Sequence, residues 1–326
     1  MYDLEIERVS EEVRKRGSRR VLLQLPDGLR PRAVEIIRSL RERTDADYLL
    51  HGGSCYGGCD VAFREGEAVK ADLIIHYGHN RMVPDEEIPV IYVDARFDLD
   101  VEWLIDSAPP FLEGWRVIGL ASTIQHSHRL TEVADSLRKR GYSVVLEGEG
   151  ERTREKGQVL GCDYTSAVAV AGEVDCFLFI GGGRFHPLGL LYATRKPVVA
   201  VDPYSLSTSI FRESELKRLA MKRMAAIEAA GKASVFGIIV SVKPGQIKTG
   251  IAEQLRDKLR EGGREATIIC LDEVRAESLM NFTEFEAFIN TACPRIVLDE
   301  DSLLPKPLIN WDEALVMLGE KDWWQG

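Results

Sequence analysis

The sequence predicts an α/β fold of three homologous domains, each with a mostly parallel sheet flanked by helices. Three observations carry that prediction. A strand–turn–helix–strand pattern occurs three times along the 326 residues. Each copy is followed by two further apolar segments. The apolar segments are near-continuous rather than alternating, the pattern of parallel strands covered on both faces.

The first copy, VLLQLPDGLRPRAVEIIRSLRERTDADYLLHGG, begins at Val21. The second, RVIGLASTIQHSHRLTEVADSLRKRGYSVVLEG, begins at Arg116, and the third, SVFGIIVSVKPGQIKTGIAEQLRDKLREGGREATIIC, at Ser234. Each helical stretch repeats apolar residues every three or four positions, as in Leu130, Val133, Ala134 and Leu137. The strands expected next are ADLIIHYG and PVIYVDAR, then VDCFLFIGGG and PVVAVDPYS, then FEAFINTAC and PRIVLDE. Domain limits follow at 1–108, 109–210 and 211–326, with the helical stretch FRESELKRLAMKRMAAIEAAGKA linking the second domain to the third.

Hydrophobic residues make up 45% and charged residues 29%, the balance of a globular protein. No apolar run approaches the ~20 residues of a membrane helix. The opening MYDLEIERVSEEVRKRGSRR is charged and amphipathic without a signal-peptide core, so a cytoplasmic protein is expected. A net charge of −10 argues against direct nucleic-acid binding, which needs clustered Lys and Arg to neutralise phosphates.

In open parallel sheets, ligands sit beyond the carboxyl ends of the strands. The turns expected there are LPDG, YGH, STIQ, GGGRF, DPYS and KPGQ, and three such edges would serve one central pocket. Six cysteines are distributed along the chain. Cys176 and Cys270 fall in strands and are expected to pack as small buried hydrophobes. Cys59, Cys162 and Cys293 each lie at a loop or strand end, one per copy, and thiolates are soft ligands suited to iron–sulfur clusters or zinc. There is no CxxC pair, and the CxxxCxxC loop of common radical enzymes is absent, since Ala62 stands at its third position. Spacing alone leaves a shared metal site and plain structural cysteines both open.

Taken together, LLQLPDGL, GGSCYGGCD, ADLIIHYGH, ASTIQ, GQVLGCD, GGGRFHPLGL, VDPYS and ACPRIVLDE followed by LPKPLINWDEA resemble the diphthamide-synthesis enzymes that begin modification of translation elongation factor 2. The resemblance spans about residues 20 to 318, and the single-chain form with all three cysteines is most similar to archaeal homodimeric members. It implies three domains around a central [4Fe–4S] cluster held by Cys59, Cys162 and Cys293, with Cys55 outside the ligand set. One iron would then lack a protein ligand and be open to S-adenosylmethionine. The family breaks the bond from sulfur to the methionine γ-carbon, releasing methylthioadenosine, and adds the 3-amino-3-carboxypropyl group to imidazole C2 of one histidine of elongation factor 2. An external electron donor is implied. Two other readings stand beside it: a noncatalytic iron–sulfur electron-transfer or scaffold subunit, and a metal-free sugar- or nucleotide-binding α/β enzyme.

The remaining polar turn residues are candidates for binding S-adenosylmethionine. Gln125, Arg184, His186 and Gln246 follow strands at the expected ligand edge. Arg184 would fork onto the methionine carboxylate, or else pair with an acidic neighbour. His186 would line the pocket or, preceding Pro187, shape a turn. Asp27 and Gly28 belong to the same edge, or cap a helix beginning near Pro31. His79 either lines the pocket or donates to a backbone carbonyl. His126 and His128 fall at a helix start, either solvated or functional. Trp323 and Trp324 would dock on the body of the protein or on a partner.

Overall fold

The computed structural model describes residues 1–84, 87–146, 148, 150–300 and 304–323. The chain forms two compact units, Met1–Glu213 and Ser214–Gly326.

The first unit holds two sheets. Strands β1 (Arg20–Gln24), β2 (Asp47–Leu50), β3 (Leu73–Tyr77) and β4 (Val90–Val93) are parallel, in the order β2-β1-β3-β4. Val21, Leu23, Ile75 and Tyr77 pack on Val9 and Val13 of the helix Ile6–Arg16 and on Ile36 and Leu40 of the helix Ala33–Arg41. Leu22 and Ile74 bury the opposite face against Phe63. Both faces are therefore covered, as the near-continuous apolar strands require.

The second sheet comprises β5 (Val117–Ser122), β6 (Ser143–Val145), β7 (Cys176–Ile180), β8 (Val198–Asp202) and β9 (Ser207–Phe211), in the order β6-β5-β7-β8-β9. All pairs are parallel except β8–β9. Strand β9 is absent from the sequence expectation, because Ser207, Thr208 and Ser209 carry no apolar period at this edge position. Cys176 is fully buried, as expected, and burial pushes its thiol up to about 12.

The second unit has β10 (Val235–Ser241), β11 (Glu265–Leu271), β12 (Ala287–Asn290) and β13 (Leu308–Asn310), all parallel, in the order β11-β10-β12-β13. The expected linking helix runs Glu213–Gly231. Two expectations are corrected here. PRIVLDE forms the helix Pro294–Glu300 rather than a strand. Pro294 suits a first helical position, and so short an apolar run has no period that separates helix from strand. Cys270 is exposed rather than buried, because β11 is an edge strand with one face partly open. Trp323 packs against the core of its own unit, and Trp324 lies outside the described residues.

The four parallel strands of each sheet take one order, second-first-third-fourth, and the second sheet adds antiparallel β9 at its edge. The order reverses between first and third strands, and the crevice beyond their carboxyl ends is where such sheets take ligands. Among the described residues no helix is long and apolar enough to cross a membrane.

Candidate metal centre

The loop that carries Cys59 follows β2 and is fastened by Gln24, the last residue of β1. Gln24 pairs in register with His76 of β3, and both side chains are buried. The Gln24 amide donates through Nε2 to the Asp60 carbonyl (2.7 Å), while its Oε1 accepts from the Ala62 amide (3.1 Å) and from His76 Nδ1 (2.8 Å). The Asp60 carboxylate accepts from Ser54 Oγ (3.3 Å) and the Tyr56 amide (3.2 Å), closing the loop around Cys59. Gly58 lies against the Asn80 backbone carbonyl so closely that a Cβ would collide with it. Cys59 is half-buried on this loop.

Cys162 lies between β6 and the helix Thr165–Val170. Buried Gln158 accepts at Oε1 from the amides of Arg154 (2.9 Å) and Glu155 (3.2 Å) and donates through Nε2 to Asn80 Oδ1 (2.9 Å). Asn80 in turn donates to the Arg152 carbonyl (3.0 Å). The Asp163 carboxylate accepts from the amides of Arg152 (2.7 Å) and Thr165 (2.9 Å). Burial opposes ionisation of Asp163, but hydrogen bonds from Thr165 and Arg152 outweigh it and hold the carboxyl below its ordinary range. Gly161 sits against the Phe185 ring, where a Cβ would lie 2.5 Å from the nearest ring carbon, and Cys162 itself is exposed. Within this unit the Cys59 and Cys162 loops are thus joined through Asn80 and Gln158.

Cys293 lies in the second unit, between β12 and the helix Pro294–Glu300. Asn290 donates to the Cys293 carbonyl (2.8 Å) and to Asn310 Oδ1 (2.8 Å), and accepts from the Ala292 amide (3.1 Å). Asn310 caps the helix Trp311–Met317 in a capping box with Glu313. Glu313 is gripped by buried Arg223 through two bonds, 2.8 and 2.7 Å. The backbone at Cys293 is therefore held by a chain of polar contacts ending in a buried ion pair. Cys59 and Cys162 follow the second strands of their sheets, whereas Cys293 follows the third.

All six cysteines are free thiols. Cys59 and Cys293 are half-buried and Cys162 is exposed, each on a loop fixed by amide contacts, and free thiols of this kind suit iron–sulfur ligation. Cys55, on the same loop as Cys59, is buried.

The other candidates are placed as follows. Gln125 donates through Nε2 to the carbonyls of Gly78 (2.6 Å) and Asp94 (3.4 Å), tying β5 to the first sheet. Arg184 is exposed, with its guanidinium 5.0 Å from the Phe211 ring centroid and no carboxylate paired to it among the described residues. His186 lies in the first turn of the helix Phe185–Thr194, stacked on Phe179 (5.9 Å); the helix runs through Pro187, so no separate turn forms there. Gln246 is buried in the short 3-10 turn Pro244–Gln246. Asp27 does not cap a helix. It pairs with Arg30 (3.1 Å), and the segment Asp27–Arg32 containing Gly28 is itself a 3-10 helix, the α-helix starting only at Ala33. His126 is buried rather than solvated, bonded to the Tyr204 hydroxyl (3.1 Å), and burial, with His128 adding, lowers it to about 4. His79 lies 3.0 Å from His76 Nε2, and burial lowers it to about 4. His76, Asn80, Gln158 and Asn290 escape sequence reasoning; the His-x-x-His spacing across ADLIIHYGH is the one signal that points to any of them.

Known proteins match this arrangement along its length. Residues 25–326 match the family of diphthamide synthesis proteins. The chain is 38% identical over 323 residues to the 2-(3-amino-3-carboxypropyl)histidine synthase of Pyrococcus horikoshii, covering 99% of this chain and 92% of that protein. It is 30% identical to subunit 1 of the human 2-(3-amino-3-carboxypropyl)histidine synthase, over 99% of this chain and 74% of that one. The crystal structure of Dph2 from Pyrococcus horikoshii with a 4Fe-4S cluster superposes with a TM-score of 0.88 at 37% identity, covering 99% of this chain and 93% of that one. The family match spans residues 25–326 and the similarity runs along 99% of the chain, and the chain belongs to the diphthamide synthesis protein family.

Proposed function

We propose that this chain is a transferase for the first step of diphthamide synthesis, moving the 3-amino-3-carboxypropyl group from S-adenosylmethionine to imidazole C2 of a histidine in translation elongation factor 2. The observation that carries this is the near end-to-end similarity to a synthase of that name, and to Dph2 solved with a 4Fe-4S cluster, in a chain whose own loops present three accessible thiols.

Cys59, Cys162 and Cys293 would hold the [4Fe–4S] cluster. When bound, the cluster supplies the electron that splits the Cγ–S bond of S-adenosylmethionine. The protein's share is orientation, since only the bond presented in the right place reacts. Asn80 and Gln158 fix two of the cysteine loops, and Asn290 fixes the third. Arg184 offers an exposed guanidinium whose fork suits the methionine carboxylate. His186 and Gln246 are further contacts for S-adenosylmethionine in this reading, while Gln125 holds the Gly78 turn rather than the ligand. The shared strand order supports division into domains at 1–108, 109–210 and 211–326. A homodimer served by an external electron donor in the cytoplasm completes the reading.

The test is anaerobic reconstitution of wild type and of C59A, C162A and C293A. Each substitution is expected to lower bound iron and sulfide and to abolish methylthioadenosine release from the reduced protein. Full cluster content in all three variants would refute the assignment. Release that needs an added second subunit would refute a self-sufficient catalyst.

A further inference from the structure

A second group of soft donors sits at the switch point of the first sheet, apart from the three thiols assigned above. Cys55 Sγ lies 3.9 Å from His76 Nε2 and 3.9 Å from His79 Nδ1, and the two imidazole nitrogens are 3.0 Å apart. Tetrahedral zinc with bonds of ~2.05 Å to nitrogen and ~2.3 Å to sulfur sets its ligands ~3.3 Å apart (N···N) and ~3.6 Å apart (N···S). The three donor atoms therefore need to move by only a few tenths of an ångström to share one ion.

The surrounding bonds fix which nitrogen faces the centre. Gln24 Nε2 points at the carbonyls of Asp60 (2.7 Å) and Ser54 (3.4 Å), so it must be the donor end of the amide. Gln24 Oε1 is then the acceptor, and His76 Nδ1, 2.8 Å away, carries the proton. His76 Nε2 is left with a bare lone pair turned toward Cys55 and His79. A metal-binding histidine whose other nitrogen donates to a fixed oxygen has the usual outer shell of a built site. Gly78 takes φ +84, a left-handed conformation that folds the chain between the two histidines. Its carbonyl is held by Gln125 Nε2 (2.6 Å).

We propose that Cys55, His76 and His79 form a second metal site, taking one borderline-soft divalent ion of the zinc class. One thiolate and two imidazoles suit that ion, and three protein ligands leave the fourth position to water. Without metal, His79 Nδ1–H donates to His76 Nε2 and Cys55 is a thiol. On binding, Cys55 releases its proton to solvent, the His79 proton moves to Nε2, and both histidine lone pairs turn to the ion. The ion clamps the loop of Cys55 and Cys59 onto the end of β3. This site uses none of the three proposed cluster cysteines and stands or falls separately from them.

The test uses the full chain carrying C59A, C162A and C293A, treated with chelator and titrated with Co²⁺ alone. One equivalent is expected to bind with thiolate-to-cobalt charge-transfer absorption, and Zn²⁺ to displace it. C55S should remove the charge-transfer band, H79A should abolish stoichiometric binding, and Q24A should weaken it about 10- to 100-fold through loss of the outer shell. Wild type prepared anaerobically provides a second measurement, in which C55S should lose zinc while keeping its iron. Absence of saturable Co²⁺ binding, or binding unchanged by both C55S and H79A, would show a hydrogen-bonded cluster only and overturn the proposal.

Discussion

Gln158 donates to Asn80 Oδ1 across 2.9 Å, and both side chains are buried. That one bond connects the loop of Cys162 to the residue whose backbone abuts the loop of Cys59. Asn80→Ala would leave Gln158 Nε2 and the Arg152 carbonyl without their partner. The expected cost is about 1–3 kcal/mol, because a buried polar group loses its bond without regaining water. Urea unfolding of N80A, Q158A and the double variant should show coupling of about 0.5–3 kcal/mol; additive losses would mean that the bond does not join the loops.

The turn before Cys59 makes a steric prediction. Gly58→Ala places a methyl against the Asn80 carbonyl, which is backbone and cannot step aside. A loss of about 1–3 kcal/mol is expected from overpacking. Gly28→Ala meets open space and serves as the control, with little change or a slight gain. Equal melting temperatures for the two variants would contradict the packing described.

In the second unit, Arg223 and Glu313 form a buried pair that also supports the cap of the helix Trp311–Met317. Arg223→Met alone strands a buried carboxylate and should cost about 3–5 kcal/mol. The R223M/E313L double variant should recover part of that loss but not all, since Glu313 also accepts from the Asn310 amide at 2.7 Å. Denaturant titration decides it: a double variant less stable than R223M would contradict the account.

His126 predicts a pH dependence. Burial first, then His128, lowers it from 6.5 to about 4, so it is neutral in the fold while the unfolded chain takes up a proton below 6.5. Stability is then at its full value above pH 6.5 and falls as the pH drops from 6.5 toward 4, by on the order of 2–3 kcal/mol for this group. Unfolding midpoints of H126F should fall less steeply than those of wild type over this range. Parallel curves would show that His126 does not titrate between the two states.

The sheets were readable from sequence where strands are apolar and helices periodic, as in LLQL, CFLFI and the run from Leu130 to Leu137. Weak patterns hide the remaining elements. PRIVLDE is too short to show a helical period, β9 is polar, and Cys270 sits in an edge strand whose exposure depends on which strands neighbour it. The cysteine loops were located by motif, but their fastening was not. Asn80, Gln158 and Asn290 act through single amide contacts to backbone distant in sequence, and no periodicity marks such residues. His76 was hidden inside a buried apolar strand.

The proposed transferase modifies a histidine of elongation factor 2 without a second subunit, through a cluster held by Cys59, Cys162 and Cys293. The most direct measurement is mass spectrometry of elongation factor 2 after anaerobic incubation with reconstituted, reduced protein and S-adenosylmethionine. A 3-amino-3-carboxypropyl adduct on one histidine is expected with wild type, and none with C59A, C162A or C293A. Unmodified elongation factor 2 with a fully loaded wild-type protein, or an adduct that persists in the cysteine variants, would contradict it.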